Sequence, residues 1–353
     1  MLLKKIVLHT TSSEGFWAHY LFFKDKHFVE RLNSLGYDFY LSDQTELADA
    51  DLILFLEATS AGLQHFGLKQ RAKHILKIII GRSSLRSRDV YQECLKKHLV
   101  EKTGLIAAES NLHLKENHTP HLTNMFHFIF TWNDDMVDGN RFLKIRIPQP
   151  VEWPVPVEIP FEKRKLLVNI SANKYHKSHS ELYTARRRSI QYFERAFEDQ
   201  FDLFGIGWNE PSGRAQKLFK TPFPYYKSYK GIVRDKSEVY PYYRFALCYE
   251  NAQVPGYITE KIFDSLRSDC IPVYLGAPNI EKYVPKNVFI DRRQFNSEGD
   301  LAEFLSSLSQ EQFNQYLLNI REYLSGDQFK AFLSTGLAEN IVTALERKQK
   351  LSI

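Results

Sequence analysis

The sequence predicts an α/β protein built as two domains. Three observations carry that reading. Short apolar runs alternate with amphipathic segments through residues 1–147, prolines crowd 148–163, and the alternation resumes over 164–325 before a helical tail at 326–353. A chain of 353 residues is also long for a single hydrophobic core.

In the first half the segments run Ile6 to Leu8, Phe28 to Leu35, Tyr37 to Leu41, Asp51 to Leu56, Gly104 to Ala108 and Phe126 to Thr131, an order that suggests a largely parallel sheet. Leu63 to Ile80 fits helix, strand or both. The stretch "IPQPVEWPVPVEIPF" then places prolines at 148, 150, 154, 156 and 160, where missing N–H donors and fixed φ angles stop helix and interior strand alike. This is the expected domain boundary. Beyond it, "KLLVNIS" (165–171) reads as a buried strand and residues 179–198 as a helix. "FDLFGIG" (201–207), "RFALCYE" (244–250) and "CIPVYLG" (270–276) read as further strands, and helical periodicity runs on from Asp300.

Composition narrows the function classes. With 43% apolar and 25% charged residues the chain is globular rather than disordered. Its net charge of +5 is spread along the chain, which argues against nucleic acid and leaves room for acidic substrates or an anionic membrane surface. Cys94, Cys248 and Cys270 lack metal-ligand spacing and indicate a reducing compartment. "MLLKKIVLH" is too short an apolar run for a signal peptide and no stretch of about 18 apolar residues occurs, so the expectation is a cytoplasmic protein, with peripheral contact to the inner membrane face allowed.

The chemistry concentrates in "YENAQVPGYITEKIFDSLRSDCIPVYLGAPN", residues 249–279. Thr259 suits a helix N-cap, and Ile262, Phe263 and Leu266 form the stripe that packs such a helix, leaving Glu260 and Lys261 in its first turn. Backbone N–H groups and a lysine then meet the end of the strand closing with Glu250 and Asn251, a place where open α/β sheets bind phosphates. For a lone helix start, Glu260 complementing the dipole and Lys261 in solvent would be the plainer reading. Asn251, Gly256 and Tyr257 nearby favour a site.

A second helix points the same way. In "SHSELYTARRRSIQYFERAF", Ser178 and Glu181 match a capping box, and Leu182, Ile190, Phe193 and Phe197 recur at helical spacing. Arg186 falls on that apolar stripe, whereas Arg187 and Arg188 do not. A guanidinium there needs an anionic partner, either a structural Asp or Glu or a ligand diphosphate held by paired hydrogen bonds.

Residues 249–280 with the following "YVPKNVFIDRRQF" resemble the donor-binding motif of the α1,3-fucosyltransferase family, glycosyltransferase family 10, and the likeness suggests a bacterial-type member without a membrane anchor. It extends less tightly through "ELYTARRRSIQYFE" and "FGIGW", and more faintly to "IAAES", "FIFTWNDDMVDG" and the proline linker. Roughly the first hundred residues match no motif, as expected of an acceptor-binding domain. The resemblance implies two facing Rossmann-like domains of the GT-B type, GDP-fucose as donor, inversion at the anomeric carbon and no obligatory metal. On the same basis Lys261 and Arg186 neutralise the diphosphate, and Asn251 and Tyr257 contact phosphates or ribose. Glu260 would hold sugar hydroxyls and favour a cationic transition state.

Inverting transfer also needs a base. Glu109 ends "GLIAAE" and would stand at a strand's C-terminal end beside the interdomain cleft, where the family places its base; Glu57, ending "DLILFLE", has the same local logic and ranks second. The aspartates of "WNDDMVDG" could bind Mg²⁺ or Mn²⁺ but read better as a polar loop, and His9, His19, His118 and His121 show no ligand spacing. The expected function is transfer of L-fucose to a saccharide hydroxyl, on N-acetylglucosamine or glucose and in α1,3 linkage. The alternatives are the same fold using another nucleotide sugar, and a non-catalytic nucleotide-sugar or glycan-binding protein.

Overall fold

The computed structural model describes residues 3–10, 25–58, 63, 89–210 and 225–351, without the side chains of 348–351. Most of the 63–80 stretch and His19 lie outside the described residues. The chain forms two compact units, Met1–Val151 with Leu333–Ile353, and Glu152–Phe332.

In the first unit six strands pair in parallel in the order β2-β1-β3-β4-β5-β6: β1 Lys4–Thr10, β2 Tyr37–Leu41, β3 Leu52–Leu56, β4 Thr103–Ala107, β5 Phe128–Thr131 and β6 Phe142–Lys144. β3 and β4 are buried at every residue, which explains why "LILFL" is apolar throughout instead of alternating: a central parallel strand is covered on both faces. One face packs α1 (Lys26–Ser34) through Phe28 and Leu32. The other packs α2 (Val90–Lys96) through Val90, Tyr91 and Cys94.

The tail expected over 326–353 is not a separate part. Its main helix, Ser334–Leu351, returns to the first unit and sets Leu337, Ile341 and Leu345, four residues apart, beside Phe28 and Leu32. Asp25 ties the junction, accepting from Ser334 Oγ at 2.6 Å and from the Val151 amide at 3.1 Å, and Arg31 pairs with Glu339 at 2.7 Å. Periodicity announces a helix but not the surface it packs on.

The second unit repeats the architecture with β7 Lys165–Ile170, β8 Phe201–Phe204, β9 Tyr229–Gly231, β10 Tyr243–Tyr249, β11 Ile271–Leu275 and β12 Ile290–Asp291, in the order β12-β11-β10-β7-β8-β9. All pairings are parallel. The three strands with no counterpart in the sequence reading, β6, β9 and β12, are two or three residues long and sit at sheet edges, too short to leave an apolar run in the sequence.

Helix α3 spans Tyr183–Ala196 rather than 179–198. Ser180 to Leu182 are spent on pairing with the segment after β10: the Gln253 amide donates to the Ser180 carbonyl at 2.8 Å and the Leu182 amide to that of Asn251 at 3.0 Å. The expected Ser178–Glu181 capping box therefore does not form. Glu181 instead accepts from the Thr184 amide at 3.0 Å, while Ser178 Oγ meets Ser180 Oγ.

Candidate functional site

In the second sheet the strand order reverses between β7 and β10, and the connections leaving their C-terminal ends diverge there. Parallel sheets bind ligands at such a point. A cavity of about 270 Å³ occupies it, and Arg186, Lys236, Asn251, Glu260 and Lys261 are among its lining residues. Its opposite wall is built from the turns after β7, β8 and β9. Gly205, at φ +126°, has to be glycine, since a Cβ there would stand 2.0 Å from the Ser171 carbonyl oxygen.

A larger hollow of about 610 Å³ lies around Phe201, Asp202 and Ser228 at the other end of β8. One of its carboxylates is already committed: Asp202 pairs with Lys165 at 2.8 Å and accepts from the Tyr243 hydroxyl at 2.6 Å. The cationic cavity has the chemistry an anionic ligand needs.

Helix α4 (Glu260–Leu266) begins as the sequence predicts. Thr259 is its N-cap and accepts from the Lys261 amide, while Ile262, Phe263 and Leu266 are buried. Beneath it lies Glu250, fully buried at the end of β10 and passed over as a site residue in the sequence. Its carboxylate accepts from the Thr259 amide at 2.8 Å and the Thr259 hydroxyl at 2.7 Å, and stands 3.4 Å from Lys261 Nζ. Gly276 makes room for it, because a Cβ there would lie 2.5 Å from Glu250 Cγ. Lys261 is thus fixed by a carboxylate below and by Glu260 at 3.3 Å beside it.

Lys236 is the second residue the sequence did not announce. It stands alone in the polar stretch "VRDKSEV", yet its Nζ reaches Asp264 at 2.6 Å and Glu260 at 3.9 Å. Burial would raise the pKa of Glu260, but Lys261 and Lys236 more than offset that and hold it at about 2. Burial would likewise lower Lys261, and Glu260 and Glu250 reverse it to a raised value. The site carries a fixed anion between two fixed cations.

Arg186 is buried as its stripe position requires, but its direct partners are carbonyls rather than a carboxylate. Its Nη2 donates to the Tyr249 oxygen and, at 3.0 Å, to that of Glu250, and its guanidinium lies 5.5 Å from the Tyr183 ring. Burial lowers its pKa against the pull of Tyr183, Glu250 and Glu260. Arg187 donates at 2.6 Å to the carbonyl of Lys174, a residue that lines the cavity, without lining it itself, and Arg188 is exposed. Asn251 lines the cavity, whereas Tyr257 is buried behind it, 3% exposed, and is not among the lining residues.

The two strand-end carboxylates of the first unit part company. Glu57 turns through a left-handed φ of +52° and folds back onto the neighbouring loop, accepting from the amides of Ala108 at 2.7 Å and Glu109 at 2.6 Å and from Asn117 Nδ2. Burial raises its pKa to about 8 against those three donors, each of which favours the charged form. Glu109 has a 32% exposed side chain with Oε2 3.7 Å from His113 Nδ1, and its carbonyl meets His118 Nε2 at 2.9 Å. Glu57→Gln would set an amide N–H against Asn117 Nδ2. Because the folded Glu57 carboxyl holds its proton up to about 8, chemical denaturation is expected to show the wild type losing stability relative to Glu57→Gln as pH rises from about 5 to 8, and a constant difference across that range would refute this burial effect.

Two of the three aspartates of "WNDDMVDG" have protein partners for their carboxylates. Asp134 pairs with Lys144 at 2.6 Å, and Asp138 accepts from the amides of Asn140, Arg141 and Phe142 at 2.8 Å each. Among the described residues no group of three or more His, Cys, Asp or Glu could hold a metal ion, and no helix is long and apolar enough to cross a membrane.

Comparison with known proteins adds an independent line. Residues 163–332 match the family described as glycosyltransferase family 10 (fucosyltransferase) C-term. Similar curated proteins include an alpha-(1,4)-fucosyltransferase of Arabidopsis thaliana, 40% identical over 67 residues, covering 19% of this chain and 17% of that protein. The alpha-(1,3)-fucosyltransferase FucT of Helicobacter pylori is 36% identical over 76 residues, covering 22% and 16%. The match therefore spans less than a fifth of either relative's length. A crystal structure of an alpha1,3-fucosyltransferase with GDP covers 97% of this chain and 90% of its own at 17% identity and a TM-score of 0.54, and the two-sheet fold is that of the GT-B glycosyltransferases.

Proposed function

We propose, from the premise that residues 163–332 belong to glycosyltransferase family 10, that this protein is a fucosyltransferase moving L-fucose from GDP-fucose to a saccharide hydroxyl with inversion. The observation that carries the reading is the cavity at the β7/β10 reversal, where Arg186, Lys236 and Lys261 gather positive charge around Asn251 and Glu260.

The reaction balances on these residues. The acceptor oxygen attacks C1 of fucose opposite the diphosphate, and the C1–O bond to the β-phosphate breaks. Its electron pair leaves on GDP, where Lys261 and Arg186 stabilise the growing charge in place of a divalent ion. The acceptor proton passes to Glu109, whose carboxylate is accessible while that of Glu57 is engaged by three N–H donors. Glu260 holds sugar hydroxyls and offsets positive charge developing on the fucosyl ring. Asn251 contacts phosphate or ribose, and Tyr257 supports that contact from behind the cavity wall. The acceptor is N-acetylglucosamine or glucose in α1,3 linkage, chosen by the first unit.

The test is a panel of nucleotide sugars with saccharide acceptors, followed by NMR of the product linkage. Turnover of another nucleotide sugar in preference to GDP-fucose would overturn the donor assignment. Transfer is also expected to survive EDTA, because the cations near the leaving group belong to the protein; loss on chelation with recovery in Mg²⁺ or Mn²⁺ would redirect attention to Asp134 and Asp135. A cytoplasmic location fits this reading, and with a net charge of +5, co-sedimentation with anionic vesicles measures any contact with the inner membrane face.

A further inference from the structure

We propose that Lys236 is a positioning residue for Glu260, fixing the place and charge of that carboxylate in the donor cavity; this rests on the nucleotide-sugar reading of the site. Lys236 opens a one-turn helical segment, Lys236–Glu238, held by Asp235, which accepts from the Ser237 amide at 2.9 Å. From there its Nζ lies 2.6 Å from Asp264 Oδ2 and 3.9 Å from Glu260 Oε1. Glu260 and Asp264 are four residues apart on α4, so their like charges are neighbours on one face. Asp264 is 7% exposed and has little water to screen it. Lys236 bridges the two carboxylates.

The charges around Glu260 show why the bridge is needed. On α4 itself are Lys261 and Asp264; the end of β10 contributes Glu250, α3 contributes Arg186, and Tyr240 lies in the turn before β10. Lys261 is shared, 3.3 Å from Glu260 and 3.4 Å from Glu250, and Arg186 is occupied by carbonyls. Three carboxylates thus face three cations. Without Lys236 an excess anion would stand where a diphosphate has to bind, and Glu260 would lose one of the two lysines that depress its pKa. The sign follows: a depressed carboxylate that loses a cation titrates at higher pH.

Two readouts test this with Lys236→Met, Lys236→Arg and the double variant Lys236→Met/Asp264→Asn, which keeps Asp264 from being left unpaired should the single variant fold poorly. The first is a carboxyl ¹³C titration of glutamate-labelled protein, with Glu260 assigned by its loss in Glu260→Gln. The second is the pH profile of kcat and KM for GDP-fucose. Lys236→Met is expected to move the Glu260 titration upward by about 1–3 units and to lower kcat at acidic pH, with KM changing less. The double variant should keep a smaller upward shift, and Lys236→Arg should restore the profile. An unshifted Glu260 titration in both methionine variants overturns the proposal. So does a tenfold loss of GDP affinity without a shift, which would make Lys236 a phosphate ligand. If the wild-type protein transfers no fucose from GDP-fucose, the functional reading fails, while the ¹³C titration still decides the role of Lys236.

Discussion

Glu109→Gln is expected to lower fucosyl transfer by about 10²–10⁴-fold while leaving GDP-fucose affinity nearly unchanged. The amide matches the carboxylate in volume and can still accept a hydrogen bond, but it cannot take the acceptor proton. The Glu109 amide that donates to Glu57 at 2.6 Å belongs to the backbone and survives the change, so the neighbouring loop keeps its brace. Glu57→Gln tests the contrast: its effect should appear in stability, since the Glu57 carboxylate is engaged by three protein N–H donors. Wild-type turnover in Glu109→Gln, with an inactive but stably folded Glu57→Gln, would move the base to Glu57. Activity in both would place the base elsewhere.

Much of the architecture was legible because parallel strands buried on both faces have to be apolar throughout. β3 announces itself this way throughout and β4 and β10 through most of their length, and the proline cluster marks where neither sheet continues. The edge strands β6, β9 and β12 leave no such trace. Nor does the return of the C-terminal helix to α1, because amphipathic spacing fixes which face is buried and not against what. The late start of α3 has a similar origin: Ser178 and Glu181 have the residue types of a capping box, but strand-like pairing with 251–253 takes the backbone first.

The site divides along the same line. Glu260, Lys261 and Asn251 were readable because they cluster within eleven residues of one strand end, and Arg186 because a charge on an apolar stripe is conspicuous. Lys236 was not, since it reaches the cavity from an unremarkable polar stretch and acquires meaning only beside Asp264. Glu250 was hidden differently. It looks like a strand-end carboxylate facing water, whereas it is fully buried and supports both Thr259 and Lys261.

That support shapes the second large effect, at Lys261. Lys261→Ala is expected to weaken GDP binding by about 1.5–3 kcal/mol, the worth of one charge-assisted contact, or roughly 10–150-fold. It should also destabilise the fold, because the buried Glu250 carboxylate keeps Thr259 but loses its only lysine within 4 Å among the described residues. Breaking a buried pair costs about 3–5 kcal/mol, and the 17% exposure of the Lys261 side chain puts the loss at the lower end of that range. The two effects separate in Lys261→Met/Glu250→Gln, which removes both charges: stability should largely return while GDP affinity does not. Arg186→Ala should weaken binding comparably and free the Tyr249 and Glu250 carbonyls. Arg187→Ala should be milder, acting through the Lys174 carbonyl it holds beside the cavity, and exposed Arg188→Ala should match wild type. Calorimetry with GDP across these variants decides the matter. Equal losses at 186, 187 and 188 would mean a diffuse basic helix, and undiminished affinity in Lys261→Ala would remove the diphosphate from this cavity.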